Sequence, residues 1–559
     1  MKFFLIILIS LSISVFSNEH IIKNANAPLL SGLGDYTFKI SSKVNGVQDY
    51  FDQGIIMSYA FNHAESIRSF QAAQRLDPNC AICFWGEALA LGPNINVRSD
   101  GKVVMNSNQR ILAFKAANNA MSLINNATKV EQDLIRSLMP RYNGDVESSR
   151  VPLDIAYAQS MEKLTKKYPY NMDFLSLYAE SMMNNMPWNY WLDNGDPKLE
   201  TVKVINSLEK VLETNPNHPL AIHLYIHAVE ASSNPGRAEE AADRLANIVP
   251  GAGHLVHMPS HIYWRIGRYN DASEANIAAA KVDEDYIAQC NAQGFYPALY
   301  YPHNIHFLWA SSAMEGRSDL SIDSGLKVSK YVPIEQIKQI PFLEFFHTVP
   351  LLSYIRFGKW DEILNYPKPI EEFSYSNAIY HYARSSAYAA LNMSNDAINE
   401  QKKILDSLDS SRVKLMMQSG HPTSELIKIA NYLSMGNIEM SNNNYSNAIN
   451  LYKKAANIQD KLPYTEPPFW YYPTRQSLGH AYLMNKDFSK AKEVYKRDLI
   501  DYPKNGWSMF GLYKSYTELN ETKNAKITKE KFNEIWSNSD IEISCLLYTS
   551  PSPRDPIGS

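Results

Sequence analysis

Half of the histidines in this chain are concentrated in one stretch of sequence. The chain has 14 histidines, and this stretch holds His223, His227, His254, His257, His261, His303 and His306. On a helix, His223, His227 and Glu230 would lie on one face, because residues three and four apart are neighbours there. Neutral imidazole binds Zn, Cu, Fe and Ni, and two histidines with a carboxylate form a common site. The spacing therefore predicts a divalent transition metal (Zn, Cu, Ni or Fe) held by His223, His227, Glu230 and His257.

Two other interpretations of these histidines stay open at the level of sequence. Without a metal, the cluster would become strongly positive on acidification and would suit a polar or anionic ligand. Alternatively, the side chains serve helix packing alone. His63, His347 and His381 are expected to be structural, because they fall at a turn or at packing positions, and His480 lies at a groove-type position far along the chain.

The elements that must position these residues are helical repeats. Stretches such as "ESIRSFQAAQRLDPN" from Glu65, "SNAINLYKKAANIQDKLP" from Ser446 and "SKAKEVYKRDLIDYP" from Ser489 have apolar residues at helical spacing and end at a proline. Each follows a short turn, and further turns of this kind fall at Gly267, Gly316 and Gly358. Helix, turn, helix and proline recur with a period of about 34 residues. No stretch of note alternates in the manner of a strand, so the sequence predicts an all-α fold.

This pattern resembles the tetratricopeptide repeat between about Gly46 and Trp536. The segments "AGHLVHMPSHIYWRIGRY" and "EPPFWYYPTRQSLGHAY" are similar to those of a group of exported bacterial tetratricopeptide proteins. The resemblance implies a helix–turn–helix solenoid that forms a curved superhelix with a concave groove. It implies a compartment as well, but it gives no reaction.

In such repeats the first helix of each unit lines the groove. If units begin at Pro219, Gly253 and Pro302, all seven histidines fall at groove positions. We therefore expect the five from His223 to His261 to converge on one concave patch, with Glu230 and His303 or His306 at its edge. The residues expected to contact a ligand in the groove are His254, His261, Trp264, Arg265, His303 and His306.

Two classes of function are compatible with these features. The first is an exported scaffold that binds a peptide, a protein or a small polar ligand in its groove, with a metal held by the histidines. The second is a metal-dependent enzyme with a His/Glu site in the groove. The sequence contains no phosphate-binding loop or nucleophile elbow, and Leu224 occupies the place of the glutamate in "HLYIH", so this is not a zincin motif. We predict the scaffold and leave catalysis open.

Composition and the chain ends set the cellular context. A net charge of −4 gives no basic footprint for nucleic acid. Residues 1–17 read as a signal peptide, so a periplasmic or secreted protein with no membrane span after cleavage is expected. "CAIC" at Cys80 and Cys83 is compatible with a redox pair, a metal pair, a local disulfide or simple packing. The predicted segments are 18–46 (N-terminal), 47–200 (repeat helices with an insertion), 201–340 (His-rich repeats), 341–540 (C-terminal repeats) and 541–559 (a disordered tail that resembles vector sequence).

Overall fold

The computed structural model describes residues 21–96, 105–192, 194–290 and 296–543. Over these residues the chain is helical and contains no strand; Trp191 and Pro197 form an isolated bridge. The prediction of an all-α, tetratricopeptide-like fold is confirmed. The signal peptide predicted at 1–17 lies outside the described residues, as does the predicted tail beyond Ile543. Among the described helices, none has the length and hydropathy to cross a membrane.

The chain divides into two compact units. Unit 1 comprises Met1–Ile262 with Lys281–Pro297, and unit 2 comprises Tyr263–Ala280 with Ala298–Ser559. Two helices, Pro259–Ile266 and Tyr269–Cys290, contribute residues to both units.

Each unit is built from consecutive helices joined by short turns. The α-helices within unit 1 are Val47–Tyr59, His63–Leu76, Ala81–Ala90, Ser107–Ser122, Lys129–Leu138, Val151–Lys167, Met172–Asn184, Leu199–Thr214, Pro219–Val229, Glu239–Ile248 and Gly253–His257. Those of unit 2 are Tyr301–Glu315, Ser318–Tyr331, Ile334–Gln339, Val349–Arg356, Trp360–Leu364, Ser374–Ala390, Ser394–Gln401, Ser411–Gln418, Thr423–Ser441, Tyr445–Gln459, Arg475–Met484, Phe488–Asp501, Gly506–Glu518 and Thr522–Ile535.

The turns within helix pairs share one backbone conformation. Positive φ angles of 57° to 77° occur at the residues Phe61, Gly267, Gly316, Gly358, Asn392, Asn443, Lys486 and Asn520. Glycine and asparagine adopt this left-handed conformation at lower cost than other residues, which is why they end helices so often. The predicted turns at Gly267, Gly316 and Gly358 are therefore present. Phe61 and Lys486 are the exceptions in side-chain type, and a bulky aromatic residue such as Phe61 is strained in this region.

The same packing device holds helix pairs together in both units. In unit 1 the buried Phe70 ring lies against Gly54 and Gly86, and in unit 2 the buried Tyr495 ring lies against Gly479 and Gly511. A methyl group at any of these glycines would overlap the ring. The missing side chains thus allow each ring to fit between two neighbouring helices.

Cys80 and Cys83 form a disulfide at the start of helix Ala81–Ala90.

Candidate metal centre

The first half of the site lies on helix Pro219–Val229 in unit 1. The helix begins at a proline, and the side chain of the preceding His218 accepts a hydrogen bond from the Ala221 N–H. Proline at the first helical position and a side-chain cap before it are both favourable. His223 and His227 lie one turn apart, and their ring centroids are 5.0 Å apart. One short helix thus supplies two neighbouring imidazoles, whose planes are tilted by 47°, and Glu230 follows at its end.

The second half comes from two short helices that follow helix Glu239–Ile248. His254 and His257 lie on helix Gly253–His257, and His261 lies on helix Pro259–Ile266. The Tyr296 hydroxyl accepts a hydrogen bond from the backbone N–H of His254 at 3.1 Å. It also donates to the Asp283 carboxylate at 2.8 Å. These bonds fix the start of the short helix, and the His254 ring lies 5.0 Å from the His223 ring.

Two overlapping groups in this cluster have the spacing of metal ligands. The ring nitrogens of His223, His227 and His254 lie within 4.8 Å of one another. One ligand atom each from His227, Glu230 and His261 also meets this limit. The hydrogen bonds within the cluster indicate which group is the better metal site.

Hydrogen bonds determine the tautomers of two imidazoles. His223 Nδ1 lies 2.6 Å from the carbonyl oxygen of Tyr59, and His227 Nδ1 lies 2.8 Å from Glu230 Oε1. Because a carbonyl and a carboxylate accept, each Nδ1 carries the proton. The lone pair of each neutral ring is therefore on Nε2. Both Nε2 atoms are buried and have no hydrogen-bond partner within the described part of the chain.

Glu230 orients two histidines. Its second oxygen, Oε2, accepts a hydrogen bond from His261 Nδ1 at 2.6 Å. His261 Nε2 in turn lies 2.9 Å from His257 Nε2, and the Ser260 hydroxyl lies 3.3 Å from His257 Nδ1. Both carboxylate oxygens of Glu230 accept a hydrogen bond from an imidazole Nδ1–H. In many metal sites a carboxylate accepts such a bond from the ring nitrogen that does not bind the metal and so orients the histidine. Glu230 has this position.

Burial keeps the candidate ligands neutral. It is the main cause that lowers the pKa of His223 and His227 well below the usual value, and neighbouring imidazoles lower both further. A charged form is disfavoured because transfer of a charge from water into the interior is costly. Metal binding requires the neutral form of histidine. The fold therefore holds these two rings in the protonation state that a metal ion needs.

The structure differs from the expectation that this cluster lines an open groove. The side chains of His223, His227, Glu230, His254, His257 and His261 are all buried, with exposures of 0–2%. Aromatic residues from distant parts of unit 1 cover them. The Phe61 ring lies 4.5 Å from His223 and 5.4 Å from His254, and the half-exposed Trp188 lies 5.1 Å from His227. The five histidines lie together, and the face that they share is packed against other parts of the chain.

Sequence reasoning missed the residues that complete this site. Tyr59 contributes a backbone carbonyl, which no side-chain pattern reveals. Phe61 and Trp188 both have positive φ angles, of 57° and 59°. Strained conformations of this kind cluster at functional sites. One sequence signal was present, because Phe61 occupies a turn position where most other repeats place glycine or asparagine.

The remaining predicted ligand contacts lie in unit 2. His303 and His306 line a cavity of about 100 Å³. Trp264 and Arg265 line a separate cleft of about 210 Å³, where the Arg265 guanidinium lies 5.4 Å from the centre of the Tyr464 ring.

The histidines expected to be structural have protein partners. His347 Nε2 donates to the carbonyl of Val332 at 2.9 Å, and His381 Nδ1 lies 2.6 Å from Glu400 Oε2. His63 is within 3.3 Å of the Asn94 amide nitrogen, and burial is the main cause that lowers its pKa to about 4.

No protein-family model and no curated protein matches this chain. Similar solved structures include the human IFIT1 dimer with m7Gppp-AAAA, at 13% identity and a TM-score of 0.32, covering 77% of this chain and 86% of that one. Yeast Tom70 is 10% identical with a TM-score of 0.27, covering 87% and 92%. The TPR domain of P58(IPK) is 11% identical with a TM-score of 0.20, covering 90% and 95%. Similarity at this level carries no information about the site.

Proposed function

We propose that this protein is a helical-repeat metalloprotein whose unit 1 binds one divalent transition-metal ion through His223, His227 and His254. One observation carries the proposal. The Nδ1 atoms of His223 and His227 each face an acceptor, and their Nε2 atoms are buried without a partner in the described part of the chain. One ring nitrogen from each of His223, His227 and His254 lies within 4.8 Å of the other two. A buried polar atom without a partner costs about 1–3 kcal/mol, and a metal ion would offset that cost.

The donor set narrows the choice of metal. Imidazole nitrogens suit Zn, Cu, Ni and Fe, whereas Mg and Ca prefer oxygen ligands. The alternative ligand group, with Glu230 in direct contact, would require the carboxylate to give up a hydrogen bond from an imidazole N–H. We therefore assign Glu230 the role of orienting His227 and His261.

Metal analysis of the purified mature protein tests this proposal. The protein is incubated with Zn²⁺, Cu²⁺ or Ni²⁺ and dialysed to remove unbound metal. The metal content is then measured by inductively coupled plasma mass spectrometry. One bound ion per chain is expected. His227→Ala and His223→Ala should remove it, whereas His347→Ala should retain it, because His347 bonds to a backbone carbonyl in unit 2. Wild-type protein that retains no metal from any of the three solutions would refute the proposal.

A metal-dependent enzyme is the second candidate, and the number of ligands favours it. Catalytic zinc sites commonly use three protein ligands and leave one position for water, whereas structural sites use four. The His223, His227 and His254 group supplies three. Hydrolysis of an activated ester by the zinc-loaded protein, lost in His227→Ala, would support catalysis. Equal rates for the loaded and metal-free proteins would count against it and leave the metal a binding role.

The scaffold function and export complete the proposal. Tetratricopeptide-like repeats present extended surfaces to peptides and proteins, and unit 1 has a cleft of about 980 Å³ lined by polar residues that include Asp35, Asp173 and Asn217. If the wild-type protein captures a partner and the Asn217→Arg variant does not, binding in this cleft is supported.

Export is supported by residues 1–17 and by the Cys80–Cys83 disulfide, since disulfides persist in oxidising compartments. Fractionation with N-terminal sequencing of the mature chain tests it, and an intact Met1 in the cytoplasmic fraction would contradict it.

A further inference from the structure

A second group of histidines lines the cavity of about 100 Å³ in unit 2. Its walls are mostly aromatic and aliphatic. The lining residues that matter here are His306, His421, Glu466, Trp309, Phe345 and Phe469.

The His306 imidazole is buried against aromatic rings without a hydrogen bond to another described residue. Its exposure is 8%. The ring stacks on Trp309 with centroids 5.0 Å apart and meets Phe345 at 5.3 Å. Burial lowers the pKa of His306 to about 3. The ring is therefore neutral at physiological pH, and it brings one donor and one acceptor to the cavity wall.

His421 has a similar environment on the same cavity. Its ring lies 5.4 Å from Phe469 and 5.7 Å from Phe345. Nδ1 is 2.7 Å from the Thr423 hydroxyl, which fixes the ring orientation. Burial lowers the pKa of His421 to about 4, so this imidazole is neutral as well.

Glu466 is the one formally charged side chain among the residues that line the cavity. It is 6% exposed, and the Tyr464 hydroxyl donates a hydrogen bond to its Oε1. No lysine or arginine is among the lining residues. Aromatic faces carry partial negative charge and attract cations. A carboxylate, neutral imidazoles and aromatic faces together favour a positively charged guest over a neutral or negative one.

We propose that this cavity binds a small organic ammonium ion with a compact apolar body. The ammonium group would donate hydrogen bonds to Glu466 and to the acceptor nitrogens of His306 and His421. The apolar body would pack on Phe345, Phe469 and Trp309.

Calorimetry with three probes of similar size tests the charge selectivity. We expect n-butylammonium to bind, 1-butanol to bind at least tenfold more weakly and butyrate not to bind. Glu466→Gln preserves the shape of the side chain but removes its charge, and it should weaken n-butylammonium binding at least tenfold while leaving 1-butanol nearly unchanged. Glu400→Gln is the matched control, since Glu400 is a largely buried carboxylate of unit 2 that does not line this cavity.

Two further variants separate recognition from folding. Arg265 lines the neighbouring cleft, which Glu466 also lines. Its positive charge would repel a cation bound near Glu466. Arg265→Gln should therefore tighten n-butylammonium binding. Phe345→Leu should weaken binding with Glu466 intact. Equal affinity for n-butylammonium and 1-butanol in the wild-type protein would overturn the proposal. So would folded Glu466→Gln protein, judged by circular dichroism, that binds n-butylammonium as tightly as the wild type.

Discussion

Replacement of Glu230 by glutamine tests the role of the carboxylate that supports the metal centre. Each oxygen of Glu230 accepts one imidazole N–H, from His227 at 2.8 Å and from His261 at 2.6 Å. A glutamine amide offers one acceptor and one donor group. One of the two imidazoles must therefore move its proton from Nδ1 to Nε2. If His227 changes, the proton occupies the lone pair that would bind the metal.

The expected loss of affinity follows from this change. Removal of a carboxylate that supports a metal-binding histidine typically reduces metal affinity about 10- to 100-fold. This corresponds to about 1.4–2.7 kcal/mol. Hydrogen bonds to charged groups contribute about 1.5–3 kcal/mol, which is of the same size. We expect the Zn²⁺ affinity of Glu230→Gln to fall within this range.

Competition with a chromophoric chelator at pH 7.5 measures the affinity. Glu400→Gln is the matched control, because Glu400 accepts a hydrogen bond from His381 Nδ1 at 2.6 Å in unit 2. That variant should bind Zn²⁺ like the wild type. Circular dichroism and thermal unfolding establish that both variants are folded. Folded Glu230→Gln protein with unchanged Zn²⁺ affinity would show that the carboxylate does not act on the metal ligands.

Three further predictions concern stability. Burial holds the pKa of His306 at about 3 and that of His421 at about 4 in the folded protein. Between these values and the usual pKa of about 6.5, the unfolded chain binds more protons than the folded chain. The free energy of unfolding should therefore fall as pH decreases through this range, by about 1.4 kcal/mol per pH unit for each ring. Urea titrations at pH 7 and pH 5 should show a shallower dependence in the His306→Gln, His421→Gln double variant, and an unchanged slope would contradict the assignment. Gly511→Ala should destabilise unit 2 by about 1–3 kcal/mol, because the methyl group meets the Tyr495 ring; wild-type stability in urea would exclude this packing. Asp540 accepts hydrogen bonds from the first two backbone N–H groups of helix Ser318–Tyr331. Asp540→Ala should therefore lower the melting temperature by the equivalent of about 1 kcal/mol of stability. A chain that ends at Ile543 is the control and should melt like the full chain.

The repeat architecture could be predicted from local features of the sequence. Helical periodicity and turn residues act over a few positions, so Gly267, Gly316 and Gly358 marked their turns without knowledge of the rest of the chain. The concentration of histidines on the first helices of successive repeat units followed from the same register. That register placed His223 and His227 together, and it placed His254 near them on a later helix.

Only the tertiary structure decided what surrounds these histidines. A helix face that points inward in a repeat can line a groove or pack against other helices, and the local sequence is the same in both cases. Tyr59 and Phe61 reach His223 from more than a hundred and fifty positions earlier in the chain. Their contacts bury the imidazoles, keep them neutral and fix the His223 tautomer. The sequence by itself determined which residue types gather at the site, whereas long-range packing determined their protonation and the atoms that they present.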